Sequence, residues 1–265
     1  MPVIKPVGDC ALTVEFENRI SIGVNRQVHA VDRRIAEASV PGIVETVPTY
    51  RTLIVHYRPE IIRYREIAKK IGDLCEGVSD NAQGDASDDI VLELPVLYGG
   101  EVDVDDPNAL YDGWDGRETS PDMQAIMDHE HKSREEIIDI HTKNLCYVYF
   151  QAFAIGHSYV GNPEKIFSIP RRATPRTLIP AGTLGVYGDQ TVLNGVDLPC
   201  GWNLIGRTPV VLYDRNREQQ SLVRSGEWIK FVPITLKEYK EIHEASKHGE
   251  YVPVTYKRSE KEGAK

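Results

Sequence analysis

The stretch Gly77 to Asp89 (GVSDNAQGDASDD) constrains this chain more than any other segment. It is polar, small and acidic, and it has no period of apolar residues with which to join a core. Such a run reads as a linker, so the sequence divides into an N-terminal α/β domain over 1–89 with the acidic linker at 77–89, a strand-rich domain over 90–235, and a charged C-terminal helix and tail over 236–265.

In the first part, Leu12, Val14 and Phe16 alternate along Ala11 to Phe16, the period of a half-buried strand. Val24, Val28, Val31 and Ile35 recur at helical spacing, and Pro41-Gly42 stops that helix. Strands over Ile43 to Val47 and Thr52 to Tyr57 follow. A second helix carries Ile61, Tyr64, Ile67, Ala68, Ile71 and Leu74, and Ile90 to Val96 reads as a further strand. The order β-α-β-β-α-β predicts a split βαβ arrangement, with helices on one face of an antiparallel sheet.

The remainder has a helical region over Ser120 to Thr142. Ser120 stands as its N-cap before Pro121, and Ser133 and Glu136 have capping-box spacing for a second helix. Short strands then alternate with Gly and Pro at Cys146 to Phe150, Gly185 to Tyr187, Val210 to Tyr213 and Trp228 to Val232. Frequent turns between short strands predict a closed or nearly closed barrel. The fold class expected is therefore α+β.

A formal net charge of -9 with scattered Lys and Arg excludes nucleic acid as the expected partner. No apolar run approaches bilayer length, and Met1 to Lys5 lacks the pattern of a secretory signal, so the expectation is a cytoplasmic protein with no membrane partner. Cys10, Cys75, Cys146 and Cys200 have no metal or redox spacing and read as free thiols. His129 and His131 lie two apart, which on a helix points them different ways, so no metal is expected. There is no phosphate loop of the G-x-x-x-x-G-K-[ST] kind. Arg171, Arg172, Arg176 and Arg207 lie among prolines and glycines, a setting in which guanidinium forks bind carboxylate or phosphate; the alternative for each is a pair with a neighbouring acid at the protein surface.

Several ordered segments carry a family resemblance: Gly8-Asp9; Val47-Pro48-Thr49-Tyr50-Arg51 onward to Tyr57; Leu94-Pro95-Val96-Leu97-Tyr98-Gly99-Gly100-Glu101; Ile140-His141-Thr142; Pro170-Arg171 to Pro175-Arg176; Pro180-Ala181-Gly182; Gly188-Asp189-Gln190-Thr191; and Gly201-Trp202-Asn203-Leu204-Ile205-Gly206-Arg207-Thr208-Pro209. Together they resemble the PxpB/KipI family, which holds the 5-oxoprolinase B subunit and allophanate hydrolase subunit 1 (carboxyltransferase domain, subdomain A), over nearly the whole chain. The resemblance implies a small N-terminal α/β domain, a cyclophilin-like β-barrel domain, and a partner of related fold, the subdomain B subunit (PxpC-like), with a third, PxpA-like subunit. It implies ATP-dependent hydrolysis of 5-oxoproline to glutamate, ATP being bound in the complex. The alternatives are a carboxyltransferase or allophanate hydrolase-type subunit, for which biotin would be the cofactor, and a KipI-like inhibitor of a sensor histidine kinase.

Under the leading reading, Arg171, Arg176, Gln190, Thr191 and Arg207 bind substrate, and His157, Tyr159 and His141 are the catalytic candidates. Where the family reads F-x-P-G-F-x-Y, this chain has Phe153-Ala154-Ile155-Gly156-His157-Ser158-Tyr159. Where the family reads Q-T-G-I-Y-P, it has Gln190-Thr191-Val192-Leu193-Asn194-Gly195. An extra loop over 102–121 is also present. The imidazole at position 157 reads either as an acid or base near neutral pH or as a ring stacked where the family has phenylalanine.

Overall fold

A computed structural model describes residues 2–78, 90–103, 116–161 and 166–259. Most of the acidic linker and most of the extra loop fall outside the described residues. The chain forms two compact units, Met1–Ser87 and Asp88–Lys265.

The first unit is a four-stranded antiparallel sheet with two helices: β1 (Val3–Val7), β2 (Ala11–Glu15), α1 (Ile22–Ala38), β3 (Ile43–Pro48), β4 (Thr52–Tyr57) and α2 (Tyr64–Cys75). Ser21 caps α1 by accepting from the Val24 amide, which satisfies one of the free donors of the first turn. Val24, Val28, Val31 and Ile35 of α1 and Ile67 and Ile71 of α2 bury against Leu12, Val14, Leu53 and Val55 of the sheet. The strand order is β1-β2-β4-β3. This corrects the split βαβ expectation. The place beside β2 expected for Ile90 to Val96 is held by Val3–Val7, and the element order is β-β-α-β-β-α. Pro6 obscures β1 in the sequence, and as an edge-strand residue it is tolerated there.

The second unit contains β5 (Ile90–Val96), α3 (Met123–Glu130), α4 (Arg134–Lys143), β6 (Cys146–Gln151), β7 (Ser158–Gly161), β8 (Arg176–Ile179), β9 (Thr183–Tyr187), β10 (Gln190–Leu193), β11 (Leu198–Cys200), β12 (Asn203–Arg207), β13 (Trp228–Pro233), α5 (Leu236–Lys247) and β14 (Val254–Lys257). Eight strands form one sheet in the order β12-β9-β10-β7-β6-β13-β5-β14, and β8 pairs with β11 in a separate two-stranded sheet. The architecture is mixed α+β, and of the closed or nearly closed barrel expected, the closed form is not what the described strands make. The large sheet curls until β5 and β12 meet, but only through an isolated bridge. There the Leu97 amide donates to the Arg207 carbonyl at 2.9 Å and the Arg207 amide to the Leu97 carbonyl at 3.0 Å.

β13 runs parallel to β5, and the C-terminal segment, read from its charge as a tail, returns as β14 to cover the outer edge of β5. Val210 to Tyr213 is not a strand; its Tyr213 makes a single bridge to Ser221. Ser133 and Glu136 form the full capping box of α4. At α3 the N-cap is Asp122 rather than Ser120, and its carboxylate makes no cap bond.

Gly206 is required where β12 meets β5. A Cβ there would lie 2.7 Å from the Val96 Cγ1 and 3.0 Å from the Leu97 carbonyl oxygen. The Gly206→Ala variant is expected to lose about 1–3 kcal/mol by overpacking, read as a lower thermal midpoint; an unchanged midpoint would show that this contact is not tight.

Candidate functional site

The alternation of β10 decides how the sequence-derived candidates are divided. Thr191 and Gln190 are neighbours in sequence and therefore lie on opposite faces of the sheet. Thr191 points into the main core, where its hydroxyl bonds the His141 Nε2 at 3.0 Å. The His141 Nδ1 bonds the Tyr98 hydroxyl at 2.7 Å, and its ring stacks on Phe231 with centroids 4.5 Å apart. His141 is fully buried, and burial lowers its pKa from 6.5 to about 3. The structure thus places His141 and Thr191 in the interior, as a neutral polar tie between α4 and β10. Neither side chain opens on a surface.

The other face of the sheet is different. Tyr159 pairs with Val192 across β7 and β10, and Gln190, two residues along, shares that face with its own partner Tyr187. Tyr159 meets His157 edge-on at 4.9 Å and Trp202 at 6.3 Å, and Trp202 meets Tyr187 at 5.6 Å. Val192, Trp202, Leu204, Cys200 and Ile179 fill the layer beneath. Arg171 borders it: a Cβ on Gly201 would lie 3.0 Å from its Nη2, and its charge partly offsets the burial that raises the Tyr159 pKa. Burial raises the Cys200 thiol as well, the opposite of what a nucleophile needs.

The loop before β7 forms the rim. Phe153 stands 68% exposed with a φ of 74°, a left-handed conformation that costs a non-glycine residue about 1 kcal/mol or more. Ile155 is 57% exposed, and the Phe153 ring meets His157 at 5.4 Å. Gly156 lets this loop lie against Gly195, where a Cβ on Gly195 would come within 2.8 Å of the Gly156 Cα. His157 is buried, and burial lowers its pKa to about 4 against the raising effect of its bond to Asn194.

The arginines separate by partner. Both terminal nitrogens of Arg176 bind the Asp122 carboxylate, at 2.7 and 2.9 Å, and the Arg172 Nη1 binds it at 2.6 Å. The Leu204 amide donates to the same carboxylate at 2.7 Å. The Arg207 Nε donates to the Ala181 carbonyl and its Nη1 to the Gly116 carbonyl. Arg176 and Arg207 are therefore held by the protein itself, whereas Arg171 is exposed and has no ion-pair partner among the described residues. Two guanidiniums against one carboxylate leave the Asp122 cluster net positive, beside Arg171.

Sequence reasoning missed Asp122, whose only signal was a lone acid just ahead of a helix, and it passed over Asn194 and Tyr187. Among the described residues no His/Cys/Asp/Glu group has the makings of a metal site, and no helix is long and apolar enough to cross a membrane.

Residues 2–223 match the carboxyltransferase domain family, subdomain C and D. The chain belongs to this family. The lettering differs from the subdomain A of the resemblance, while the carboxyltransferase domain is the same. Over 252 residues the chain is 32% identical to the 5-oxoprolinase B subunit of Bacillus subtilis, a match covering 92% of this chain and 97% of the relative. The crystal structure of TTHA0988 superposes with a TM-score of 0.68 at 24% identity, covering 88% of this chain. Urea carboxylase of Kluyveromyces lactis superposes with a TM-score of 0.72 at 16% identity, covering 99% of this chain. The chain spans 40% of the former and 24% of the latter, and both likenesses concern the fold alone.

An unfolded chain's imidazole titrates near 6.5, while the folded protein holds His141 near 3, so on acidification the unfolded state takes up this proton first. The stability that His141 contributes is complete above about pH 6.5 and is lost as the pH falls toward 3. His157 acts in the same direction down to about 4. The His141→Gln variant is expected to be less stable at pH 7 yet to show a shallower fall of thermal midpoint between pH 6.5 and 4; an unaltered slope would contradict the buried-neutral assignment.

Proposed function

We propose that this chain is the B subunit of a 5-oxoprolinase, which opens a five-membered lactam to glutamate in an ATP-dependent complex. The observation that supports this most is the 32% identity to the Bacillus subtilis protein along 97% of that protein's length. A match of that extent covers both units rather than one of them.

The outer face of the β7–β10 region fits one small acid. Arg171, which has no ion-pair partner among the described residues, offers its guanidinium for the substrate carboxylate, in an electropositive surrounding. Tyr159, Trp202 and Tyr187 provide ring walls for the lactam, Gln190 a neutral amide, and His157 an imidazole at the rim. Arg176 and Arg207 are held by the protein's own acceptors, and Thr191 and His141 bond each other in the core, so none of the four is assigned to substrate.

Among the described residues, the arginines of this face offer little to a triphosphate. Among the four arginines of this region Arg172 and Arg176 are tied to Asp122 and Arg207 to backbone carbonyls, and Arg171 is the one whose guanidinium has no ion-pair partner among the described residues. The ATP site is therefore assigned to the partner subunits, of the subdomain B and PxpA-like kinds. ATP bound there would supply the phosphoryl group for the lactam oxygen, so that water could add to the ring carbon and phosphate leave. A carboxyltransferase using biotin would draw on the same donors, and none of them favours it over a small cyclic amide.

The test is ATP-dependent hydrolysis of 5-oxoproline by this chain combined with its partner subunits. Turnover is expected only when all are present, and none above the partner-only control would overturn the proposal. Arg171→Ala should lower kcat/KM roughly 10- to 100-fold, the worth of one hydrogen bond to a charged group, with the thermal midpoint unchanged. Full activity in that variant would remove Arg171 from the site.

A further inference from the structure

His157 lies at the end of a hydrogen-bond chain in which every donor is fixed. The Pro180 carbonyl can only accept, so the Thr183 hydroxyl donates to it, at 2.9 Å. The Thr183 hydroxyl and carbonyl oxygens then accept from the Asn194 Nδ2, at 3.0 and 2.9 Å. Rotating the amide by half a turn would set its oxygen against the Thr183 carbonyl, so the orientation is determined by chemistry. That leaves the Asn194 Oδ1 facing the His157 Nδ1 at 2.8 Å, and an amide oxygen accepts only. The Nδ1 must carry the proton.

The consequence appears at the other nitrogen. His157 is 4% exposed and held neutral by burial, so its Nε2 carries a bare lone pair. Among the described residues Nε2 has no hydrogen-bond partner, and the ring lies edge-on to Tyr159 and beside the exposed Phe153 of the rim loop. Thr183 and Asn194 are also fully buried, so the chain is rigid and shielded from water. The glycine pair 156 and 195 presses the two segments that carry His157 and Asn194 together. Burying three polar side chains in sequence is costly unless each is satisfied, and only one atom of the set is left open.

We infer that Asn194 is a positioning residue that holds His157 as its Nδ1–H tautomer, so that the bare Nε2 accepts a hydrogen bond from the N–H of a small cyclic amide. The identity of that donor as a lactam nitrogen rests on the function proposed above; the tautomer does not. A hydrogen bond from the ring nitrogen to His157 selects a small amide that bears its N–H in a ring, and it disfavours an analogue alkylated at that nitrogen.

The test uses the full chain with 15N-labelled histidine. Long-range 15N–1H spectra at neutral pH are expected to give His157 a protonated Nδ1 and a bare Nε2; an Nε2–H tautomer or a doubly protonated ring overturns the positioning role whatever any variant does. In Asn194→Leu the tautomer should shift toward Nε2–H, and an unchanged tautomer in a folded variant also overturns it. Should that variant not fold, the wild-type spectrum still decides. In the reconstituted complex, 5-oxoproline should be used at least tenfold better in kcat/KM than its N-methyl derivative, and His157→Phe should abolish most of that preference. A preference unchanged in His157→Phe overturns the N–H contact. A complex that does not turn over 5-oxoproline fails the proposed function and, with it, the N–H contact, while the spectra still judge the tautomer.

Discussion

The carboxylate of Asp122 organises the second unit. It lies just before α3 and is nearly inaccessible, and it accepts from Arg172, Arg176 and the Leu204 amide. One residue thereby joins three parts of the chain far apart in sequence: the start of α3, the segment leading into β8, and β12. Such a pair is a weak source of net stability, because desolvation offsets much of the attraction. Its removal is costly all the same, about 3–5 kcal/mol when one partner is lost. The gain is specificity: no apolar replacement would fix the direction of two guanidiniums and one amide together.

What depends on that carboxylate is the division of labour among the arginines. Arg172 and Arg176 are drawn inward, and Arg171, next in the chain, is left outside at the edge of the Tyr159–Trp202 layer. Sheet geometry makes the second division. Successive residues of a strand face opposite ways, so Gln190 shares a face with Tyr159 while Thr191 meets His141 in the core. The two histidines are both neutral, for the same reason of burial, and they differ only in what remains open. Both nitrogens of His141 are bonded within the protein, whereas the Nε2 of His157 has no partner among the described residues.

Much of this was legible in the sequence. The helical spacing of Val24 to Ile35, the alternation of Leu12 to Phe16 and the Ser133–Glu136 capping box each describe a local preference that the structure realises. Pairing partners were not legible. Ile90 to Val96 is apolar enough for either sheet, and only the parallel register with Trp228–Pro233 decides its place. The segment at Val254 is charged and short, yet it closes an edge. The same limit applied to the site. Arginines near prolines do attract carboxylates, as the sequence indicates, but the carboxylate that takes Arg176 is the protein's own, fifty-four residues earlier.

The central claim is that Asp122 holds the segment carrying Arg171 against β12. Hydrogen–deuterium exchange of wild type and Asp122→Asn tests it most directly, since the amide keeps the shape and removes the charge. Faster exchange is predicted across residues 166–176 and at Leu204, with protection in β6 and β13 unchanged. Equal exchange in those segments, or a loss of protection spread evenly over the unit, would contradict the account.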